Sequence, residues 1–170
     1  YVYVPGASGT GAVHILDVSN PAEPVEVGRY DPEYYIHDAH IKGDRMYACA
    51  GLTGLLDIVD ISDKTNPVLL AQISDQTGYV HSAWTTEDDK YLIVAYETDG
   101  VPAVIWDIQD LDNIEAVETY SANLQSLVHN PYVRGDFSFF SHNTEGLRVM
   151  DVADPTLPVE VGYYDTYDGP

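Results

Sequence analysis

Leu56-Asp57-Ile58-Val59-Asp60 is an apolar run that ends on aspartate, and a short turn later the chain resumes at Pro67-Val68. The phrase returns as Val13-His14-Ile15-Leu16-Asp17, Val104-Ile105-Trp106-Asp107 and Leu147-Arg148-Val149-Met150-Asp151. Successive closing aspartates lie 43, 47 and 44 residues apart. Seven residues beyond them stand Pro24, Pro67, Ile114 and Pro158, and each of the three prolines is followed by valine. A period in the mid-forties built from short β-type segments predicts propeller blades. The fold expected is therefore all-β: a β-propeller segment over 1–170, with about four consecutive four-stranded blades of a larger or incompletely closed ring.

Working outward from the phrase gives the remaining strands. Ile36 to Lys42, a turn at Gly43-Asp44, and Met46 to Ala50 precede Leu55 to Asp60, and Val68 to Ile73 follows. The units starting at His81 and His129 repeat this order, so the blades are expected at 1–35, 36–80, 81–128 and 129–170. Turn residues and β-branched or aromatic runs agree along the chain, and no helical period appears. Tyr1-Val2-Tyr3-Val4 matches the second strand of a blade, which leaves the first blade without its inner strand. Tyr167-Asp168-Gly169-Pro170 does not supply that strand, so the chain reads as a fragment of a larger ring, or as one closed by another copy. An unclosed ring of this kind is expected to associate through its open edges.

Repeat residues carry structural roles first. The closing aspartates are placed to accept amides of the following turn, and Asn20-Pro21, Asn66-Pro67 and Asp154-Pro155 set turns before outer strands. Arg134-Gly135-Asp136 occupies the same hairpin as Lys42-Gly43-Asp44, so it reads as a turn before it reads as an adhesion tripeptide. Cys49, the lone cysteine, lies in an apolar strand and is expected to be a buried free thiol.

Composition narrows the partners. Seven Lys and Arg against 28 Asp and Glu give a net charge of −21, which excludes nucleic acid and disfavours anionic membranes. No stretch approaches the roughly 20 apolar residues of a spanning helix. A protein or carbohydrate ligand, and the remaining blades of the same protein or of another copy, are the partners expected.

His37, His81 and His129 recur at one blade position, the start of the innermost strand, and should converge at the mouth of the central channel. Neutral imidazoles there could ligate a divalent or transition metal ion, zinc, copper, iron or manganese. They could equally cap the inner strands by bonding neighbouring blades. The same face receives Glu97, Thr98 and Asp99 from one loop and His142, Asn143, Thr144 and Glu145 from another, while Asp38 follows His37. Asp38, Trp84, Glu97, Asp99, His142 and Glu145 are the candidate ligand-binding residues, Trp84 as a packing or sugar-stacking ring. His14 and His40 are weaker candidates. No hydrolase elbow, phosphate loop, dinucleotide fingerprint or EF-hand loop is present. Two functions stay open: a binding module with a His-bearing face, or a metal-dependent propeller enzyme using a His ring.

Tyr35-Ile36-His37-Asp38-Ala39, Gly78 to Asp88 (Gly-Tyr-Val-His-Ser-Ala-Trp-Thr-Thr-Glu-Asp) and Val104-Ile105-Trp106-Asp107-Ile108 resemble LVIVD-repeat propellers, in particular the choice-of-anchor B group. His129 to Gly135, Gly146 to Val152 and Val159 to Asp165 are similar in the same order. The resemblance covers nearly the whole chain. It implies a secreted or surface-anchored bacterial-type protein whose propeller is longer than this segment. Ala95-Tyr96-Glu97-Thr98-Asp99 departs from the acidic cluster such relatives carry there, which weakens a calcium reading. A looser similarity, through histidines at inner-strand starts, links the chain to copper- or manganese-using propeller enzymes.

Overall fold

Strand formation follows the repeat. The computed structural model describes residues 1–7, 9, 11–74 and 78–166. Tyr167 to Pro170, where the sequence predicts no closing inner strand, lie outside the described residues. Four antiparallel sheets follow one another along the chain. The first joins β1 (Val2–Val4), β2 (Val13–Asp17) and β3 (Val25–Tyr30). The second joins β4 (Asp38–Lys42), β5 (Arg45–Cys49), β6 (Leu55–Asp60) and β7 (Val68–Ser74). The third joins β8 (Val80–Thr85), β9 (Tyr91–Tyr96), β10 (Ala103–Asp107) and β11 (Glu115–Tyr120). The fourth joins β12 (Val128–Arg134), β13 (Phe137–His142), β14 (Gly146–Asp151) and β15 (Val159–Tyr164). Each sheet is a meander in chain order, the first with three strands and the others with four. This is the succession of propeller blades that the period predicts, and among the described residues the first sheet has three strands.

The recurring aspartate explains the sharpness of the repeat. Asp17, Asp60, Asp107 and Asp151 each accept, through Oδ1, the amide two residues on, at 2.8, 2.8, 3.0 and 3.0 Å. Three residues later the device recurs: Asn20, Asp63, Asp110 and Asp154 accept the amides of Ala22, Thr65, Asp112 and Thr156 at 2.9–3.3 Å. Two Asx turns in series thus carry every third strand into its outer strand. The hydrogen bonds hold the carboxyls of Asp17, Asp60, Asp63 and Asp154 below the usual carboxylate range. A register shift two residues before each closing aspartate, between Ile15/Leu16, Ile58/Val59, Ile105/Trp106 and Val149/Met150, completes the unit. An extra outer-strand residue at that point bends the edge strand and strengthens its twist.

The chain divides into two compact units, Tyr1–Gln76 and Thr77–Pro170, each holding two sheets. In the first unit, Met46, Ala48 and Ala50 alternate along the second sheet and pack with Val13, Tyr30, Ile36, Val59 and Ile61. In the second, Ile93, Ala95, Ala103 and Ile105 meet Val128, Val133, Phe140, Met150 and Val152. Period-two alternation is what lets one sheet present a continuous apolar face to the next. Close approach limits side-chain size at Gly28, where an added Cβ would stand 1.8 Å from the Lys64 carbonyl oxygen. Cys49 is a fully buried free thiol, and burial pushes its pKa up. Gly43 and Gly135 take positive φ, +58° in both, at the first position of matching two-residue hairpins. Arg134-Gly135-Asp136 is therefore the same turn as Lys42-Gly43-Asp44.

Polar clamps tie one blade to the next. In the first unit the fully buried Asp57 of β6 accepts Tyr30 Oη at 2.8 Å, Tyr34 Oη at 2.7 Å and Gln72 Nε2 at 2.8 Å. Burial and the carboxylate together push both phenols far above their ordinary range. In the second unit Tyr120, at the same end of its outer strand, donates to Glu160 Oε2 at 2.6 Å. Arg148, in the repeat position of Asp57, bridges Glu160 at 3.2 Å and Glu145 at 2.7 Å.

Asp57→Ala removes the buried acceptor shared by Tyr30, Tyr34 and Gln72 and should cost roughly 3–5 kcal/mol of stability. Asp60→Ala removes a solvent-facing turn bond and should cost about 1 kcal/mol. Urea unfolding of both variants checks the contrast; equal losses would mean that the buried clamp does not hold the first unit together.

Candidate functional site

The third and fourth sheets bring two of the predicted histidines together. His81 is the second residue of β8 and His129 the second residue of β12. Each falls where its inner strand changes register, between Val80/Ser82 and between Val128/Asn130. A residue left out of the ladder in this way has its side chain re-aimed, which is why bulges recur beside binding sites. The two imidazoles lie with ring centroids 4.0 Å apart, tilted by 37°. Glu97 stands between them. Its Oε2 is 3.7 Å from His81 Nε2, and its Oε1 is 3.7 Å from His129 Nε2. One ligand atom from each of the three residues lies within 4.8 Å of the others.

Local backbone bonds fix the carboxylate. Glu97 N–H donates to the Tyr79 carbonyl at 3.0 Å, and Thr98 N–H to the Tyr96 carbonyl at 2.8 Å. Tyr79 N–H in turn donates to Thr98 Oγ1 at 2.8 Å. Gly78 leaves room for this stitch, since a Cβ there would come within 2.8 Å of Thr98 Oγ1. The His81 side chain is only 9% exposed, whereas Glu97 and His129 are 36% and 37% exposed. The group thus has one buried member and two at the surface.

The other sequence candidates have contacts of their own. His37 precedes β4 in the first unit, where Tyr35 Oη lies 3.3 Å from its Nδ1. Strand register aligns Glu97 with Asn143 in the fourth sheet, and the shared hairpin aligns it with Gly51 in the second. The repeat containing His37 therefore has no carboxylate at the corresponding point. Asp38 Oδ1 accepts the Ala39 amide at 2.8 Å. Asp99 is exposed in the same loop as Glu97. Trp84 packs on Tyr132, ring centroids 4.8 Å apart, against the apolar cluster of the second unit. His14 contacts Glu26 at 3.1 Å and the Ala7 carbonyl at 2.8 Å, and His40 stacks on Tyr47.

His142 and Glu145 belong to a loop clasp. His142 is 1% exposed; its Nε2 accepts the Ala122 amide at 3.2 Å, so the proton sits on Nδ1, 3.2 Å from Ser126 Oγ. Glu145 closes a 3₁₀ turn (Asn143–Glu145) and accepts Asn123 Nδ2 at 2.8 Å while pairing with Arg148. Sequence position alone placed these two residues on the ligand face; their partners came from the 121–126 connection, which carries no repeat signal.

This geometry defines a repeat β-propeller whose blades close on aspartate turns. The LVIVD repeat profile matches residues 1–32, 37–75 and 129–166, more than half of the chain, and the chain belongs to the LVIVD-repeat family. No curated protein sequence matches it. Solved structures share the fold at low identity. A Lactobacillus plantarum protein superposes with a TM-score of 0.76 at 11% identity, over 96% of this chain and 52% of its own. The periplasmic gluconolactonase of Pseudomonas aeruginosa gives 0.69 at 11%, over 96% and 53%. A Bacteroides uniformis protein provisionally labelled 6-phosphogluconolactonase gives 0.70 at 13%, over 95% and 52%. The chain spans about half the length of these structures. Among the described residues no helix is long and apolar enough to cross a membrane.

Burial holds the His142 pKa below its ordinary value, with Glu145 acting in the opposite sense. The unfolded chain takes up this proton near pH 6.5, before the folded one does, so stability should fall as pH drops from about 7 towards 5. His142→Gln should flatten that part of the curve. Denaturation midpoints across this range test it, and an unchanged slope would remove His142 as its source.

Proposed function

We propose that this chain is part of an extracellular or cell-surface propeller that works as a binding module. Its recognition surface is the blade face bearing the inner-strand histidines. One observation carries the reading: His81 and His129 leave their ladders at the same blade position and gather around Glu97, with Asp99 exposed beside them. A structural capping residue needs one neighbour, whereas this group offers three polar side chains with two of them open to solvent. A protein or carbohydrate ligand fits a face of imidazoles and carboxylates backed by rigid strands. The acidic charge of −21 suits a cationic or neutral ligand and not a phosphate-rich one.

The location rests on the resemblance to the choice-of-anchor B group, and that group also supports a longer ring completed by further blades. The gluconolactonase labels belong to fold relatives only 11–13% identical and bring no activity to this chain. A metal-dependent enzyme is the second reading, favoured by the same two histidines and carboxylate.

The binding module should retain a partner from an arrayed panel of bacterial surface polysaccharides and extracellular-matrix proteins. Glu97→Gln and His129→Ala should each weaken that capture at least about tenfold with the fold intact. Capture that survives both substitutions would move the recognition surface elsewhere.

A further inference from the structure

We infer that His81, Glu97 and His129 form a two-histidine, one-carboxylate site for a divalent transition ion of the zinc class. All three ligands come from the second unit. It goes beyond the binding-module reading, because an ion can be held whether or not this face also recognises a macromolecule.

Geometry makes the first argument. Around a tetrahedral zinc with bonds of about 2.0–2.2 Å, donor atoms sit roughly 3.3–3.5 Å apart. Both histidine-to-carboxylate contacts, at 3.7 Å, are only slightly wider than that. All three donors already lie within 4.8 Å of one another. Contraction onto an ion asks for small rotations of Glu97 and His129, the two exposed members, around a buried His81. Three protein ligands leave a fourth position that water can fill.

The donor chemistry selects the ion. Imidazole nitrogen with a single carboxylate suits zinc and its first-row neighbours, whereas calcium and magnesium demand a shell of oxygens. Glu97 spans the two rings with one oxygen towards each, so it can ligate through either. Three separate elements present the donors: the β8 bulge, the β9–β10 loop and the β12 bulge. The loop is held by the Glu97–Tyr79 and Tyr79–Thr98 bonds, and such support orients a ligand before the ion arrives.

The repeat supplies a second, independent argument. The longest spacing between closing aspartates, 47 residues, belongs to the repeat that contains Glu97. Its second-to-third-strand connection covers residues 97–102, against 5–12, 50–54 and 143–145 in the first, second and fourth sheets, so the carboxylate is set by residue identity and not by loop length. Residues 76–128 also fall outside the family match. Glu97 and His81 therefore both come from the repeat that diverges from the family pattern, and His129 from one that follows it.

Calorimetric titration of the chelator-stripped, purified chain with Zn²⁺ at neutral pH tests the site, with Co²⁺ absorption as an independent readout of nitrogen and oxygen ligation. One ion per chain is expected. Glu97→Gln and His129→Ala should each weaken binding by at least about tenfold with an unchanged circular dichroism spectrum, and His37→Ala should leave it unaltered. These two variants replace exposed side chains, so the test stands even if His81→Ala does not fold. Ca²⁺ should not displace the ion. Absence of saturable Zn²⁺ binding by the folded chain, binding that survives both substitutions, or loss of binding on His37→Ala would each overturn the assignment. A negative result here leaves capture on the panel of polysaccharides and proteins unaffected, so the two readings fail separately.

Discussion

A carboxylate oxygen accepting the amide two residues further on is a small interaction, yet the blade repeat depends on it. It ends the third strand at Asp17, Asp60, Asp107 and Asp151, and a second Asx turn three residues later aims the chain back along the sheet. The outer strand then returns with one extra residue, which tightens its twist. Every outer strand consequently leaves its sheet in the same way. A less directional turn would let the register slip by one residue, and each slip would exchange the buried and exposed faces of a strand.

Blades treated in this way still have to be joined, and apolar packing alone does not choose one relative position. The tyrosine at the end of an outer strand makes the choice in both units. Tyr30 reaches Asp57 of the next sheet, and Tyr120 reaches Glu160 and, through it, Arg148. The two clamps use the same repeat position with opposite charge, aspartate in one and arginine in the other. In each case the group is satisfied by several partners, and for the fully buried Asp57 that is the condition under which a buried polar group can be tolerated.

The same repetition prepares the candidate site. Histidine at the start of an inner strand sits outside the ladder because the strand shifts register there, and two successive sheets set two imidazoles side by side. What differentiates the second unit is one carboxylate at the start of the loop 97–102. Glu97 has Asn143 and Gly51 as its counterparts, so only one repeat combines histidine and carboxylate at these positions. Function can be added to a repeat scaffold by a change in one connection while the strands remain as they were.

The period, the turn residues and the alternating apolar positions are all local in the chain, so the sequence by itself determined the all-β class and the blade succession. It also placed His81, His129 and Glu97 on one face, since the order of strands in a blade dictates which loops share an end. It could not say which members of that face meet. His142 and Glu145 share the face but are consumed by the 121–126 connection, and Trp84 is consumed by Tyr132. The Asp57 clamp was invisible because Tyr30, Tyr34 and Gln72 come from three separate positions along the chain. Such groupings depend on side-chain directions across neighbouring sheets, a quantity that no spacing along one chain encodes, and tertiary packing alone decided them.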